Sequence, residues 1–160
     1  VYDGALYACQ SDDAKQRRSK RAVWGMAAIL TVAVAAGGCI PAPGMQNCFY
    51  VLLPYLGEFL GTASVIWALA KLGMDWGMVR EYNYKKSVAV LPVRTAVTAV
   101  FSLLGIVCEL IFFFVNDHAG QTFFALLYVL LKLTALLSAL VLRAEIMQAE
   151  WDKLPKKDNS

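Results

Sequence analysis

Long runs of apolar residues, separated by short polar stretches, dominate the chain. The four runs are Ala22 to Ile40, Phe49 to Leu72, Ser87 to Val115 and Gln121 to Leu142. A helix needs about 20 predominantly apolar residues to cross the hydrocarbon core of a bilayer. The pattern therefore predicts one membrane domain over 1–160 with four transmembrane helices, at about 22–40, 49–72, 87–115 and 121–142. A leader over 1–21 and a tail over 143–160 flank them.

The composition agrees with a membrane protein. Hydrophobic residues make up 59% of the 160 residues, charged residues only 17%, and the mean hydropathy is +0.53. A soluble domain has about 25% charged residues. The net charge of +3 comes from basic residues at the predicted helix ends rather than from one folded basic surface, so nucleic-acid binding is not expected.

The connections between the predicted helices differ in character. The stretch 41–47 is rich in turn residues and cannot continue a helix, so it predicts a short hairpin connection. A tight polar turn is predicted at 116–120. The longer connection at 73–86 mixes charged and aromatic residues, a composition that suits the headgroup layer. The aromatic leader segment 2–7 has two interpretations: it docks, on the end of the bundle or on a partner, or it is a frayed terminus. The tail is predicted to start as a helix and then to fray.

Basic residues mark one side of the membrane. They are Lys15, Arg17, Arg18, Lys20 and Arg21 in the leader, Lys71, Arg80, Lys85, Lys86 and Arg94 around the middle connection, and Arg143, Lys153, Lys156 and Lys157 after the last run. The two short connections have none. Under the positive-inside rule, this predicts an all-α, antiparallel four-helix membrane bundle with both termini cytoplasmic, in the plasma (cytoplasmic) membrane.

Two cysteines, Cys39 and Cys48, lie at the predicted outer ends of the first and second spans. An oxidising compartment and a short connection favour a disulfide between them. The alternative is two buried thiols that behave as small apolar residues. Cys9 and Cys108 are not placed to join this pair.

The first run also imitates a secretory signal that ends in a lipidated cysteine, through the basic cluster and the sequence Ala36-Gly-Gly-Cys39. Two observations argue against this alternative. The residue three before Cys39 is not a larger aliphatic one, and the leader before the cluster is long for a signal peptide. We therefore expect the first run to remain a membrane span.

Three ionisable residues, Glu58, Glu109 and Lys132, lie inside the predicted spans. Charges at this depth cost roughly 2.5–3.5 kcal/mol or more, so they usually face a bundle interior and pair with one another. The helical rise places Glu58 and Lys132 about 15–16 Å below the outer boundary and Glu109 about 10 Å below it. The three residues are therefore predicted to meet in one cluster.

Helical spacing places small and polar residues on the same faces as these charges. The sets are Thr95, Thr98, Ser102, Gly105 and Glu109; Ala125, Tyr128, Lys132, Ala135 and Ala139; and Gly57, Glu58, Gly61 and Thr62. Such faces pack helices closely in membranes. The predicted intramembrane polar cluster comprises Glu58, Glu109, Lys132, Tyr128, Thr62 and Ser102.

Two functions are compatible with this cluster. A structural one fastens the helices of a non-enzymatic accessory, scaffold or oligomer-forming subunit. The other is a small proton- or cation-coupled transporter or channel that uses Glu58 and Glu109, since two carboxylates against one lysine favour protonation or cation binding. Catalysis is not expected, because the only histidine is His118 in an outer turn, and no metal or cofactor site is predicted. The expected partners are the lipid bilayer and a second copy or another membrane protein.

Overall fold

The computed structural model describes residues 6–9, 13–73, 76, 79–116, 122–149 and 151–153. Within these residues the elements are β1 (Leu6–Cys9), α1 (Asp13–Cys39), α2 (Pro43–Asn47), α3 (Phe49–Leu72), β2 (Val79–Arg80), α4 (Glu81–Lys86), α5 (Leu91–Val115), α6 (Thr122–Gln148) and β3 (Trp151–Lys153). The predictions for leader residues 2–5, for the turn containing His118 and for the tail after Lys153 fall outside the described residues.

Four of the helices are long and apolar enough to cross a membrane, as predicted. The bounds of α3 match the prediction, whereas α1 begins at Asp13 and α6 continues to Gln148. Both extensions contain good helix formers such as Lys, Arg, Gln, Glu and Met, so the helices continue beyond their apolar runs.

The third span starts later than predicted. Residues Ser87–Val90 form turns, and α5 begins at Leu91. Pro92 explains the position of this start, because proline has no N–H to donate and is tolerated in the first turn of a helix but not in its interior. The short helix α4 precedes these turns, with an exposed ion pair between Lys85 and Glu81 at 2.7 Å.

The connection between the first two spans is not a simple turn. It contains α2, which starts at Pro43 and packs against α3, α5 and α6. Ala42, Pro43 and Gly44 are all buried. The segment therefore covers one end of the helix bundle instead of merely linking two helices.

The predicted disulfide is wrong, because Cys39 and Cys48 are both free thiols. Cys39 is exposed at the end of α1, and Cys48 is half-buried and precedes the first residue of α3. The insertion of α2 between them accounts for this difference. In addition, α1 packs mainly against α6 and much less against α3, so its end is not held beside the start of α3.

A small three-stranded sheet, which the sequence analysis did not predict, joins three distant segments of the chain. β1 is central and pairs antiparallel with β2 and with β3. The ring of Tyr7 stacks on that of Tyr84, with centroids 4.3 Å apart and planes at 4°. The part of the leader that the structure describes is thus docked on the bundle, and Trp151–Lys153 of the tail pair as a strand.

Two buried apolar clusters lie between the long helices. The cluster beside the sheet includes Val23, Leu69, Leu91 and Ile146, one from each long helix, together with Trp76 and Val79. The second is made of Leu30, Ala33, Val34, Ala99, Ala135 and Ala139. Large apolar side chains are also exposed along all four helices, such as Val32, Leu60, Val93 and Leu126. This apolar exterior suits contact with lipid.

Candidate functional site

A buried ion pair lies at the centre of the candidate site. The Nζ of Lys132 on α6 donates to Oε2 of Glu58 on α3, and both side chains are at most 1% exposed. The hydroxyl of Ser102 on α5 donates to Oε1 of Glu58 at 2.5 Å. A buried charge is tolerated when it is paired and hydrogen-bonded, and here both carboxylate oxygens have a partner. The contacts join three helices at one point.

Helical periodicity explains why these side chains point inward. The predicted interior set on α5 is buried throughout, as is the set on α6. Each α5 or α6 set recurs at steps of three and four residues, which keeps its members on one face of the helix. The buried faces of α5 and α6 are therefore those that the residue spacing predicts.

Glycines allow the helices to approach closely around the ion pair. A Cβ on Gly61 would lie 2.6 Å from Oγ1 of Thr98, and one on Gly57 would lie 2.5 Å from the ring of Phe101. On the other side of the pair, a Cβ on Gly105 would contact Cε of Lys132 at 3.5 Å. The glycines of α3 therefore pack directly on α5, and Gly105 leaves room for the lysine stem.

Two aromatic rings surround the ammonium group of Lys132. Its Nζ lies 4.6 Å from the ring centroid of Tyr55 and 5.1 Å from that of Tyr128. Cation–π attraction at these distances adds to the ion pair. Tyr128 was predicted in the cluster, but Tyr55 was missed. Its position three residues before Glu58 was an available signal, because that spacing places two side chains on the same face of a helix.

The carboxyl group of Glu109 contacts the short helix α2. The side chain of Glu109 is fully buried, and its Oε1 accepts a hydrogen bond from the backbone N–H of Gly44 in α2 at 3.4 Å. A Cβ on Gly44 would clash with Oε2 of Glu109, so only glycine fits here without displacement. The structure therefore brings Glu58, Ser102 and Lys132 into contact and places Glu109 against α2.

Two predicted members of the cluster have buried hydroxyls that are not used. In the part of the chain that the structure describes, Oγ1 of Thr62 and the hydroxyl of Tyr128 have no hydrogen-bond partner. Thr62 lies one helical turn from Glu58, and Tyr128 one turn from Lys132. These two hydroxyl groups near the ion pair can therefore still form hydrogen bonds, and the ion pair does not use them.

The chemistry open to this arrangement follows from its burial. Glu58, Glu109 and Tyr128 are 0% exposed and Lys132 is 1% exposed, so bulk solvent does not reach the charges in this conformation. Among the described residues, no group of three or more His, Cys, Asp or Glu side chains is placed to hold a metal ion. A sealed ion pair of this kind holds helices together, and proton exchange would require it to open.

Comparison with known proteins adds no family. No protein-family model, no curated protein and no solved structure matches the chain.

Proposed function

We propose that this chain is a non-enzymatic polytopic membrane protein that acts as an accessory, scaffold or oligomer-forming subunit. The observation that carries the proposal is the sealed contact of Glu58, Ser102 and Lys132, which fastens α3, α5 and α6 to one another. A structural fastener needs full burial and paired charges, and both are present. Other membrane proteins or further copies of the chain would bind to the apolar exterior of the bundle.

The proposed topology is an antiparallel bundle with both termini on the cytoplasmic side of the plasma membrane. The sheet supports it, because β1 precedes α1, β2 follows α3 and β3 follows α6, so these three ends lie together. Most of the basic residues are in or near the same segments. Positive residues are retained on the cytoplasmic side, which supports a cytoplasmic location for this end.

Thiol labelling tests this topology. Cys39 is exposed at the opposite end from the sheet, and Arg17 is exposed near the start of α1. In a background without the other cysteines, a membrane-impermeant maleimide added to intact cells is expected to label Cys39. Arg17→Cys, in a background that also lacks Cys39, is expected to react only after the membrane is permeabilised. The reverse pattern would contradict the proposed orientation.

The second candidate function is proton- or cation-coupled transport. Among the described residues, two buried carboxyl groups, Glu58 and Glu109, accompany one buried lysine, and Thr62 and Tyr128 provide hydroxyls next to the ion pair. Carboxyl groups inside membrane proteins are frequent members of proton pathways. Transport would also require a conformation in which solvent reaches them.

A flux assay separates the two candidates. The full chain is reconstituted in vesicles that contain a pH-sensitive dye, and a proton or cation gradient is imposed. We expect no flux above that of empty vesicles. A flux that Glu58→Gln or Glu109→Gln abolishes, while each variant keeps its melting temperature and oligomeric state, would favour transport instead. The control is Gln46→Glu, at an exposed site in α2, which leaves both buried carboxyl groups in place.

A further inference from the structure

An apolar groove of about 420 Å³ runs along the outer face of α5 and ends at Arg143 of α6. Its wall consists of Pro92, Val93, Ala96, Val97, Val100 and Phe101. These residues lie on one face of the helix, since they recur in pairs four residues apart. Val93, Val97 and Val100 are 61%, 43% and 56% exposed, so the wall is open to the surroundings of the bundle.

Arg143 is half-buried and has no charged partner among the described residues. In the described ranges it makes no hydrogen bond or ion pair, whereas Nη1 of Arg94, on α5, donates to the backbone oxygen of Ser64 at 2.7 Å. Arginine presents five donors in a planar fork that matches a phosphate group. The apolar wall beside it offers no acceptor side chain, so the groove leaves the positive charge available to an anion.

The groove has the depth of one bilayer leaflet. Pro92 and Phe101 are nine residues apart, and the helical rise converts this to about 13 Å, close to half of the ~30 Å hydrocarbon core. Leu91 and Leu142, the neighbours of Pro92 and Arg143, belong to the same buried cluster, so the charged end of the groove lies level with the start of α5. The charge is thus at the membrane boundary and the apolar wall extends inward.

We infer that this groove binds one anionic phospholipid, with its phosphate on Arg143 and an acyl chain along the wall between Val93 and Val100. Along the groove the charge lies at the membrane boundary and the apolar wall extends inward. A phospholipid in the leaflet at the sheet end of the bundle has its phosphate and its acyl chains in the same order. Zwitterionic lipid has the same acyl chain, and its headgroup amine offsets the phosphate charge, so it binds this end less tightly. This assignment is independent of whether the ion pair is structural or transports protons.

Native mass spectrometry of the full chain in detergent tests the inference. The protein is titrated with phosphatidylglycerol or with phosphatidylcholine of identical acyl chains, and retained lipids are counted. We expect one phosphatidylglycerol to be retained preferentially. Arg143→Gln is expected to weaken its retention about fivefold, the effect of about one basic residue near an anionic lipid. Arg143→Lys keeps the charge and is expected to lose less.

Two further variants make the test specific. Arg21→Gln removes an exposed basic residue from α1, outside the groove, and is expected to leave retention unchanged. Ala96→Phe keeps Arg143 but fills the wall, and is expected to weaken retention of the lipid. Melting temperatures of all variants establish that they are folded, and the groove substitutions lie on the surface of the bundle.

Four results would overturn the assignment. Equal losses in Arg143→Gln and Arg21→Gln would mean diffuse charge attraction. Equal retention of both lipids would mean that the headgroup is not recognised. If inorganic phosphate alone displaced phosphatidylglycerol from the wild type, the site would be one for a soluble anion. A dimer that Ala96→Phe dissociates, with no effect on lipid, would mean that a second copy occupies the groove.

Discussion

Replacing Lys132 by methionine is expected to lower the free energy of unfolding by about 3–5 kcal/mol, the range measured when one partner of a buried ion pair is removed. Methionine fills much of the same volume but leaves the carboxylate of Glu58, which is 0% exposed, without its counter-charge. Ser102 alone would then bind the carboxylate. The measurement is the melting temperature of the full chain in detergent.

The double variant Glu58→Gln with Lys132→Met isolates the interaction. It removes both charges, so it is expected to be less destabilised than Lys132→Met alone, and the double-mutant cycle gives the coupling between the two residues. Lys15→Met is the matched control, because Lys15 is exposed in α1 and its loss is expected to change stability by no more than about 0.5 kcal/mol. Additive losses in the cycle would contradict a direct interaction of Glu58 with Lys132.

The second large effect is expected at the contact of α3 with α5. Gly61→Val is expected to destabilise the bundle by about 1–3 kcal/mol, because a Cβ there would lie 2.6 Å from Oγ1 and 3.4 Å from Cα of Thr98. The hydroxyl of Thr98 is already bound to the backbone oxygen of Arg94 at 2.9 Å, so the new methyl groups push against a fixed helix surface.

Gly25→Val is the matched control for this substitution. Gly25 lies in α1, and nothing is within 4 Å of a Cβ built on it. The same chemical change is therefore expected to have little effect on the melting temperature in detergent. Equal destabilisation by both variants would show that the loss comes from valine in a helix and not from the helix contact.

The long helices and the interior faces were predictable because both follow from periodic patterns. An apolar run of sufficient length predicts a span by itself, and the spacing of Ser102 and Lys132 among small residues predicts which sides of α5 and α6 are buried. Depth counting also placed Glu58 and Lys132 at the same level, where they form the ion pair. These predictions depend on residues close together in sequence or on simple helix geometry.

Features that depend on tertiary contacts were not predictable in this way. The helix α2 has only five residues, too few for a periodic signal, and its burial comes from packing on α3, α5 and α6. Its position also separates the ends that carry Cys39 and Cys48 and brings Gly44 to Glu109. The strands of the sheet have two to four residues, and each is defined only by its partners.

The sheet has a consequence for the order in which the chain is assembled. Cys9 in β1 pairs with Trp151 in β3, so most of the chain must be synthesised before this pairing can form. Until then, one edge of β1 has no partner strand, and its backbone groups depend on water or on another chain. Contacts so distant in sequence form slowly, because the chain loses the entropy of loop closure before the contact adds any stabilisation. Closure of β1 on β3 therefore comes after all four long helices have been made, and this pairing marks a completed bundle.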